Sequence, residues 1–286
     1  NVEVRSMSML SWDVYEESVG FTARNLDVGW FGVWGSRNTS VVGGDVGPSL
    51  VGGEFHTVWV TFGDHDGEPR NLLLDHVYFH DFSKAKEGDH TQCIFITGGD
   101  GVTIRNSRFV RCDVFSIFAG TPWWKQGLPP LRNVTIENNF FDASTWGGSY
   151  NCCSYAIRFA GDWSRLDNFR FAYNSSKMPM SFGDKGTPKS NFQIVGNVMP
   201  NDGCGSNEIY RYNVIIGGSK CSSTDRSVPN LAAAGFVAPL ARQPDLRLKP
   251  GSPAIDAGDP RNFPRTDIFG KRRPHGRAPD AGAAER

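Results

Sequence analysis

The sequence has almost no helical periodicity, no apolar run long enough to cross a bilayer, and no excess of charge of either sign. Apolar residues at helical spacing occur only in an alanine-rich stretch at 231–234. A spanning helix needs about 20 apolar residues, so no membrane span is predicted. Thirty acidic residues balance thirty basic ones, which gives no indication of a nucleic-acid or anionic-membrane partner, although a local basic loop stays open. The segment from Asn1 is neither a signal peptide nor a start methionine, and we interpret the chain as a mature or trimmed product.

The six cysteines contain no CxxC pair, and their spacing matches no metal motif, so a zinc site is not predicted. Cys204 and Cys221 flank one repeat strand and its return, and Cys93 and Cys112 stand on neighbouring strands. In a secreted protein both pairs are candidates for disulfides. The adjacent cysteines at 152–153 are ambiguous, and we favour burial as apolar residues. The cysteines, together with the predicted solenoid fold, favour an extracellular location.

What the chain does have is a repeated heptad, Asn-φ-x-φ-x-x-Asn, where φ is mostly apolar. The four copies are NVTIENN (133–139), NFRFAYN (168–174), NFQIVGN (191–197) and NEIYRYN (207–213). Looser copies begin at Gly20, Asn38, Asn71 and Gly101. The start-to-start gaps of 16 to 35 residues predict a solenoid of short strands with loops of variable length.

Alternation within each heptad predicts a strand with one core face and one solvent face. In the first copy Val134 and Ile136 share one face, and Thr135 and Glu137 share the other. The strand is expected to end at Asn, which tolerates left-handed backbone geometry and can hydrogen-bond to another Asn one coil away. Such an Asn ladder is a structural device.

A second short apolar run, which ends in Gly, lies between the heptads. Its copies end at Trp34-Gly35, Phe62-Gly63, Thr97-Gly98, Ala119-Gly120, Ala160-Gly161 and Phe182-Gly183. Each coil therefore has at least two strands, and about eight coils roughly 4.8 Å apart would stack to about 40 Å. The predicted fold is all-β, a single-stranded right-handed parallel β-helix over residues 1–221. An irregular C-terminal segment, residues 222–286, is expected to pack on the helix or its end.

Two stretches of the chain carry a family resemblance. The repeated strand of the NVTIENNFF type and the tail LRLKPGSPAIDAGDP, DIFGKRRP and PDAGAAE resemble bacterial secreted right-handed β-helix repeat proteins of the pectate-lyase-like superfamily. The resemblance implies the fold. It leaves the activity open, because the superfamily includes polysaccharide lyases, glycoside hydrolases, epimerases, esterases, tailspikes and adhesins.

Motifs of particular members are mostly missing. The NTD, acidic-pair, GHG and RIK motifs of polygalacturonase-type hydrolases are not found, and the nearest string is GGDG at 98–101. The Asp, Arg and Trp signatures of classical pectate lyases cannot be placed. The segment EGDHTQCIFITGG at 87–99 is similar to a strand of uncharacterised secreted members, but Gln92 stands where an acid is expected.

Residues at equivalent positions of successive coils form columns on one face. The fifth heptad place reads Arg24, Val42, Asp75, Arg105, Glu137, Ala172, Val195 and Arg211. Asp75, Arg105 and Glu137 alternate in sign at one strand spacing, which favours cross-strand ion pairs. The structural interpretation is preferred, and an arginine flanked by acids as a substrate clamp is the alternative.

The corner after the Gly-ended strands forms a second column and is the better candidate site. It reads Ser36, Asp64, Gly99-Asp100, Thr121, Asp162 and Asp184. Its acids could bind Ca²⁺ or act as the acid/base pair that glycoside hydrolysis needs. We take Asp100, Asp162 and Asp184 with Lys125 as the catalytic candidates. Ordinary Gly-Asp turn chemistry is the competing interpretation.

Loops that leave this corner carry tryptophans and arginines. Trp123, Trp124 and Trp163, with Arg158 and Arg165, are the substrate-binding candidates, because indole rings suit the apolar faces of sugars. The alternative is that the tryptophans cap the core.

Other functional groups are less specific. A lyase would need a base such as Lys125, Arg158, Arg165 or Lys185, and none stands in a diagnostic motif. The histidines are His56, His65, His76, His80, His90 and His275. Only His76 and His80 are close in sequence, and solvated or corner positions are favoured over a metal site. The sequons at Asn38, Asn133 and Asn174 are explained by strand corners without glycans.

The sequence therefore leads to the hypothesis of an extracellular carbohydrate-active protein, a polysaccharide lyase or glycoside hydrolase whose partner is a polysaccharide. The competing hypothesis is a non-catalytic surface, adhesive or self-assembling protein, with association through the ends of the β-helix. No cofactor is certain, and Ca²⁺ is the candidate.

Overall fold

The computed structural model describes residues 2–49, 57–63, 67–84, 90–122, 127–142, 155–182, 186–201 and 203–286. These residues form a parallel β-helix, as the heptads predict. Twenty-one strands join through parallel pairings into one continuous wound sheet, and a small antiparallel pair lies in the C-terminal segment.

The first half of the chain contains β1 (Val2–Arg5), β2 (Ser8–Tyr15), β3 (Phe21–Trp34), β4 (Ser40–Val46), β5 (Val58–Thr61), β6 (Arg70–Phe82), β7 (Gln92–Ile96), β8 (Asp100–Arg105), β9 (Arg108–Cys112), β10 (Phe115–Ala119), β11 (Leu131–Glu137) and β12 (Phe140–Asp142). The second half contains β13 (Tyr155–Phe159), β14 (Leu166–Ala172), β15 (Ser175–Ser176), β16 (Met180–Phe182), β17 (Lys189–Val195), β18 (Val198–Pro200), β19 (Glu208–Arg211), β20 (Val214–Ile216), β21 (Arg226–Val228), α1 (Leu231–Ala234), β22 (Phe236–Ala238) and β23 (Asp245–Leu248).

Each coil passes over three faces. The heptad strands stack into one face, here the heptad face, which runs through β8, β11, β14, β17 and β19. The second face follows the corner after each heptad and runs through β9, β12, β15, β18, β20 and β21. The third face contains the Gly-ended runs, in β5, β7, β10, β13 and β16. The long strands β2, β3, β4 and β6 continue across corners.

The predicted register of the heptad face is confirmed residue by residue. Asp75 pairs with Arg105, Arg105 with Glu137, and Glu137 with Ala172. The column continues through Val195 to the last heptad. The N-terminal residues add a strand that the heptad count does not include, because β1 pairs in parallel with the start of β3.

Two positions of each heptad require left-handed backbone geometry. The first position has a positive φ at Asn38, Asn71, Asn133, Asn168, Asn191 and Asn207, and the sixth at Asn25, His76, Asn106, Asn138, Tyr173 and Tyr212. The expectation that the last Asn adopts this geometry is therefore corrected. The left-handed residue is the one before it, and Asn is used at the first position because its side chain tolerates positive φ.

The last Asn of each heptad instead forms a buried ladder, defined by Asn139, Asn174, Asn197 and Asn213 and ending on Asp225. In each step a backbone N–H donates to the side-chain oxygen one coil further on, over 2.9 to 3.0 Å. Each Nδ2 also donates to a backbone carbonyl of the preceding coil. The ladder satisfies polar groups that the corners would otherwise bury unpaired.

Apolar side chains fill the interior between the three faces. Rings stack from coil to coil, as in Phe169 on Phe192 at 4.3 Å between centroids. Both predicted disulfides are confirmed, Cys93 with Cys112 and Cys204 with Cys221. Each joins residues fewer than 20 apart in sequence.

The C-terminal segment contains β21, which adds a strand to the second face, and the segment then packs on the outside of that face. Ala254, Ala281 and Ala283 join Phe140 and Val198 in one buried cluster. The alanine-rich stretch at 231–234 is the short helix α1, capped by an Asn side chain and ended by a left-handed Gly. No helix within the described ranges is long and apolar enough to span a membrane.

Candidate functional site

The third face presents a column of aromatic side chains away from the core. Because Val58, Ile94 and Ile117 point inward, the alternating residues Trp59, Phe95 and Phe118 point outward and lie in register. Trp34 stacks on Trp59 with ring centroids 5.9 Å apart. Trp59 follows on Phe95 at 4.7 Å, and Phe95 on Phe118 at 5.1 Å. We name Trp34, Trp59, Phe95 and Phe118 the aromatic column.

Arg158, a predicted substrate-binding residue, continues this column. It pairs in register with Phe118 on one side and Ser181 on the other. Its guanidinium lies 5.5 Å from the ring centroid of Tyr155, and Nη1 donates to Ser181 Oγ at 2.7 Å. This end of the column is half-buried, whereas Trp59 is 2% exposed. The Arg158 end therefore offers a partly exposed surface, as Trp34 does at the opposite end of the column.

The corner beyond the third face brings two carboxyl groups together. Asp100 begins β8 and is in register with Arg132 of the next coil. The Arg132 guanidinium donates through Nη2 to Glu68 Oε2 at 3.0 Å and through Nε to Asp100 Oδ2 at 3.3 Å. Asn133 Nδ2 donates to Asp100 Oδ1 at 2.6 Å. We name Glu68, Asp100, Arg132 and Asn133 the acidic corner.

A glycine pair lets the chain turn into this corner. A Cβ on Gly98 would lie 2.5 Å from the Phe62 ring, so any other residue here would require that ring to shift. Five residues separate Phe95 of the aromatic column from Asp100, which limits the distance between the two features to about 17 Å.

The two carboxyl groups of the acidic corner differ in environment. Burial raises the pKa of Glu68, and the nearby charge of Asp100 raises it further, against the opposing effect of Arg132. Glu68 Oε1 is buried and has no hydrogen-bond partner among the residues that the structure describes, whereas both oxygens of Asp100 accept hydrogen bonds. A carboxyl whose pKa is raised, beside one that accepts two hydrogen bonds, is an arrangement that can supply an acid and a base.

The other predicted acid in the described chain, Asp162, is not brought to Asp100. Asp100 and Arg132 are in register with Asp167, five residues beyond Asp162. Asp162 is exposed at the turn before β14, and its backbone N–H donates to Thr121 Oγ1 at 3.0 Å. Thr121 and Asp162 are therefore neighbours at the corner, as the column predicts. Asp100 and Asp162 do not come together.

Trp163 and Arg165 occupy positions that do not suit a sugar platform. Trp163 is 4% exposed within the main core cluster, and its backbone bridges to Leu128. The alternative expectation, that this tryptophan caps the core, matches its position. Arg165 is exposed and donates to Asp167 Oδ1 at 2.5 Å, a local ion pair.

Several predicted site residues lie outside the described residues. They are Trp123, Trp124, Lys125 and Asp184, together with Asp64, Lys185, His56, His65 and the cysteines at 152–153.

The histidine pair is separated by a corner. His76 has a φ of 58° and contacts Asp75 through Nδ1 at 2.7 Å. His80 contacts Asp81 through Nδ1 at 2.6 Å and Asp45 through Nε2 at 2.5 Å. Within the described ranges no three metal-ligating side chains of the His, Cys, Asp and Glu types converge.

Sequence reasoning missed Glu68, Arg132 and the aromatic column. The residue before each first heptad Asn reads Arg37, Arg70, Arg132, Asp167, Ser190 and Ser206, so extending the heptad by one residue would have found Arg132. Alternation within the Gly-ended runs would have placed Trp59, Phe95 and Phe118 on one outer column. Glu68 lies in a loop without a repeat, and no sequence signal marks it.

No protein-family model matches the chain, and no curated protein matches it.

Proposed function

We propose that the chain is an extracellular carbohydrate-active protein of the pectate-lyase-like kind, and that it hydrolyses a polysaccharide at the acidic corner. The observation that carries the proposal is the proximity of Glu68, with its raised pKa, to Asp100 on a single guanidinium. Glycoside hydrolysis uses a protonated carboxyl to donate to the leaving oxygen and a second carboxylate as base or nucleophile. Glu68 would be the acid and Asp100 the second group.

The Arg158 end of the aromatic column, two strands beyond Phe95 on the third face, supplies a binding surface. Phe118 and Tyr155 are half-buried rings on which a sugar can stack, and the Arg158 guanidinium can donate to hydroxyl or carboxylate groups. The two disulfides fit an extracellular protein.

A non-catalytic surface protein is the second candidate, and one observation favours it. Trp59 and Phe95 face away from the core yet are only 2% and 3% exposed, as expected of side chains that serve packing.

The test is incubation of the purified protein with a panel of neutral and acidic polysaccharides, with and without Ca²⁺. New reducing ends without an ultraviolet-absorbing unsaturated product are expected for a hydrolase. Unsaturated products would instead identify a lyase. No product from any polysaccharide, together with no retention on the polymers, would overturn the proposal in favour of the non-catalytic candidate.

A further inference from the structure

Although the chain is neutral overall, its two parts carry net charges of opposite sign. Residues 222–286 contain eleven Lys and Arg against seven Asp and Glu, a formal net charge of +4, and residues 1–221 carry the balancing −4. The C-terminal segment is therefore the basic part of the molecule.

Burial of acids increases this asymmetry at the surface. Five of the seven acids in the segment are buried, namely Asp225, Asp259, Asp267, Asp280 and Glu285. Nine of its eleven basic residues are exposed, namely Arg226, Arg242, Arg247, Lys249, Arg261, Arg265, Arg272, Arg277 and Arg286. The outer surface of the segment is thus more basic than its composition indicates.

The buried acids are used as internal acceptors and cannot neutralise the surface. Asp267 Oδ1 accepts from the backbone N–H groups of Phe269 and Lys271 at 2.9 and 2.8 Å, and Oδ2 accepts from that of Glu285 at 2.8 Å. Glu285 in turn accepts from Arg273 Nη1 at 3.0 Å and from the backbone N–H of His275 at 2.8 Å. Each carboxylate holds the fold of the segment together.

These hydrogen bonds close a turn over residues 265–273 that carries basic residues on both of its sides. The backbones of Arg265 and Arg273 are hydrogen-bonded at 2.9 Å, and Thr266 bridges to Arg272. Arg265 and Arg272 are exposed and form no ion pair among the residues that the structure describes. Phe269 stands at the tip of the turn with 59% of its surface exposed. We name Arg265, Phe269, Lys271 and Arg272 the basic turn.

We propose that the basic turn is a docking surface for a linear anionic glycan, separate from the acidic corner. Unpaired guanidinium groups bind carboxylate and sulfate groups, and the exposed ring of Phe269 can stack on a sugar face. A membrane surface is disfavoured because the turn carries one exposed ring and no amphipathic helix. An anionic glycan also suits an extracellular protein better than nucleic acid does.

The experiment measures binding of the full chain to a sulfated glycan and to a polyuronate over a range of salt concentrations. The test variant is Arg265→Ser/Arg272→Ser. The control is Arg5→Ser/Arg24→Ser, which removes the same charge from two solvent-accessible arginines of the first coils that pair with Glu3. The test variant should bind at least about tenfold more weakly at low salt, and its log–log salt slope should fall by roughly two, one for each lost ionic contact. The control should bind like the wild type. Phe269→Ala should weaken binding without changing the slope.

Three results would overturn the proposal. They are equal losses in the test and control variants, no glycan binding by the wild type at low salt, and equally tight binding of duplex DNA or anionic vesicles. Whichever glycan binds more tightly identifies sulfate or carboxylate as the recognised group. The outcome does not depend on cleavage, because the experiment measures binding directly and needs no hydrolysed product.

Discussion

Arg273 and Glu285 form an ion pair at 3.0 Å whose two side chains are fully excluded from solvent. The guanidinium also lies 4.9 Å from the ring centroid of Tyr173 in the coil stack and donates through Nη2 to Asn138 Oδ1 at 3.3 Å. Arg273, held by Glu285, therefore links the C-terminal segment to the β-helix. Removing one member leaves the other charged and buried without its partner.

Glu285→Gln should accordingly lower the free energy of unfolding by about 3 to 5 kcal/mol. Urea denaturation followed by circular dichroism measures the change. The exposed pair Arg247–Asp245 provides the matched control, and Arg247→Met should cost less than about 1 kcal/mol. Equal effects of the two substitutions would show that the buried pair does not fasten the segment.

The buried asparagine ladder predicts a large penalty at Asn174. Its Oδ1 accepts from the backbone N–H and Nδ2 of Asn139, and its Nδ2 donates to the carbonyl of Ile136 at 2.9 Å. Asn174→Ala leaves buried polar groups in two coils unpaired, so we expect a loss of about 3 kcal/mol in stability. The control is Asn168→Gly at the first position of a heptad, where the exposed Asn168 side chain donates to Asn133 Oδ1 at 2.6 Å. Glycine keeps the positive φ available, so the substitution should cost under about 1 kcal/mol. A smaller loss at Asn174 than at Asn168 would contradict this role.

We expect Asp75 to make the free energy of unfolding depend on pH. Burial alone would raise its pKa, but hydrogen bonds from Arg105 and Asn106 and the charge of Arg105 outweigh burial and lower it. A carboxyl with a lowered pKa stabilises the folded state above its unfolded value of about 3.9, and this stabilisation is lost as the pH falls. Asp75→Asn should therefore cost about 1 to 3 kcal/mol near neutral pH, and less as the pH falls below about 4. Urea midpoints at several pH values test this, and a cost that grows towards acid pH would refute it.

The disulfide between Cys93 and Cys112 closes a loop with a sequence separation of 19. Loop-closure entropy predicts that replacing both cysteines by alanine lowers stability by about 3 kcal/mol. The second disulfide, with a separation of 17, should behave similarly. Thermal unfolding of each double variant beside the oxidised wild type measures the effect. Unchanged melting in both variants would mean that the bridges do not constrain the unfolded chain.

The fold was predictable because the heptad repeats the same physical requirements. Inward apolar residues, two left-handed positions and a ladder amide recur together, so the register of Asp75, Arg105 and Glu137 followed from counting. The site was less predictable. Glu68 approaches Asp100 through a loop that has no repeat, and the inward position of Trp163 depends on its bridge to Leu128. Contacts of this kind involve loop residues that do not repeat from coil to coil, so a single sequence gives no pattern that predicts them.

Cleavage at the acidic corner is the central claim, and one comparison of rates tests it most directly. The initial rate of reducing-end release from the polysaccharide panel is measured for the wild type, Glu68→Gln and Glu137→Gln. Glu137 pairs with Arg170 at 3.7 Å on the heptad face, away from the corner, and serves as the matched acid. We expect Glu68→Gln to lose at least about 100-fold in rate while it stays folded, because a general acid contributes about that much or more. Glu137→Gln should retain the wild-type rate. A Glu68→Gln rate equal to that of the wild type, or no release of ends by the wild type, would contradict the claim.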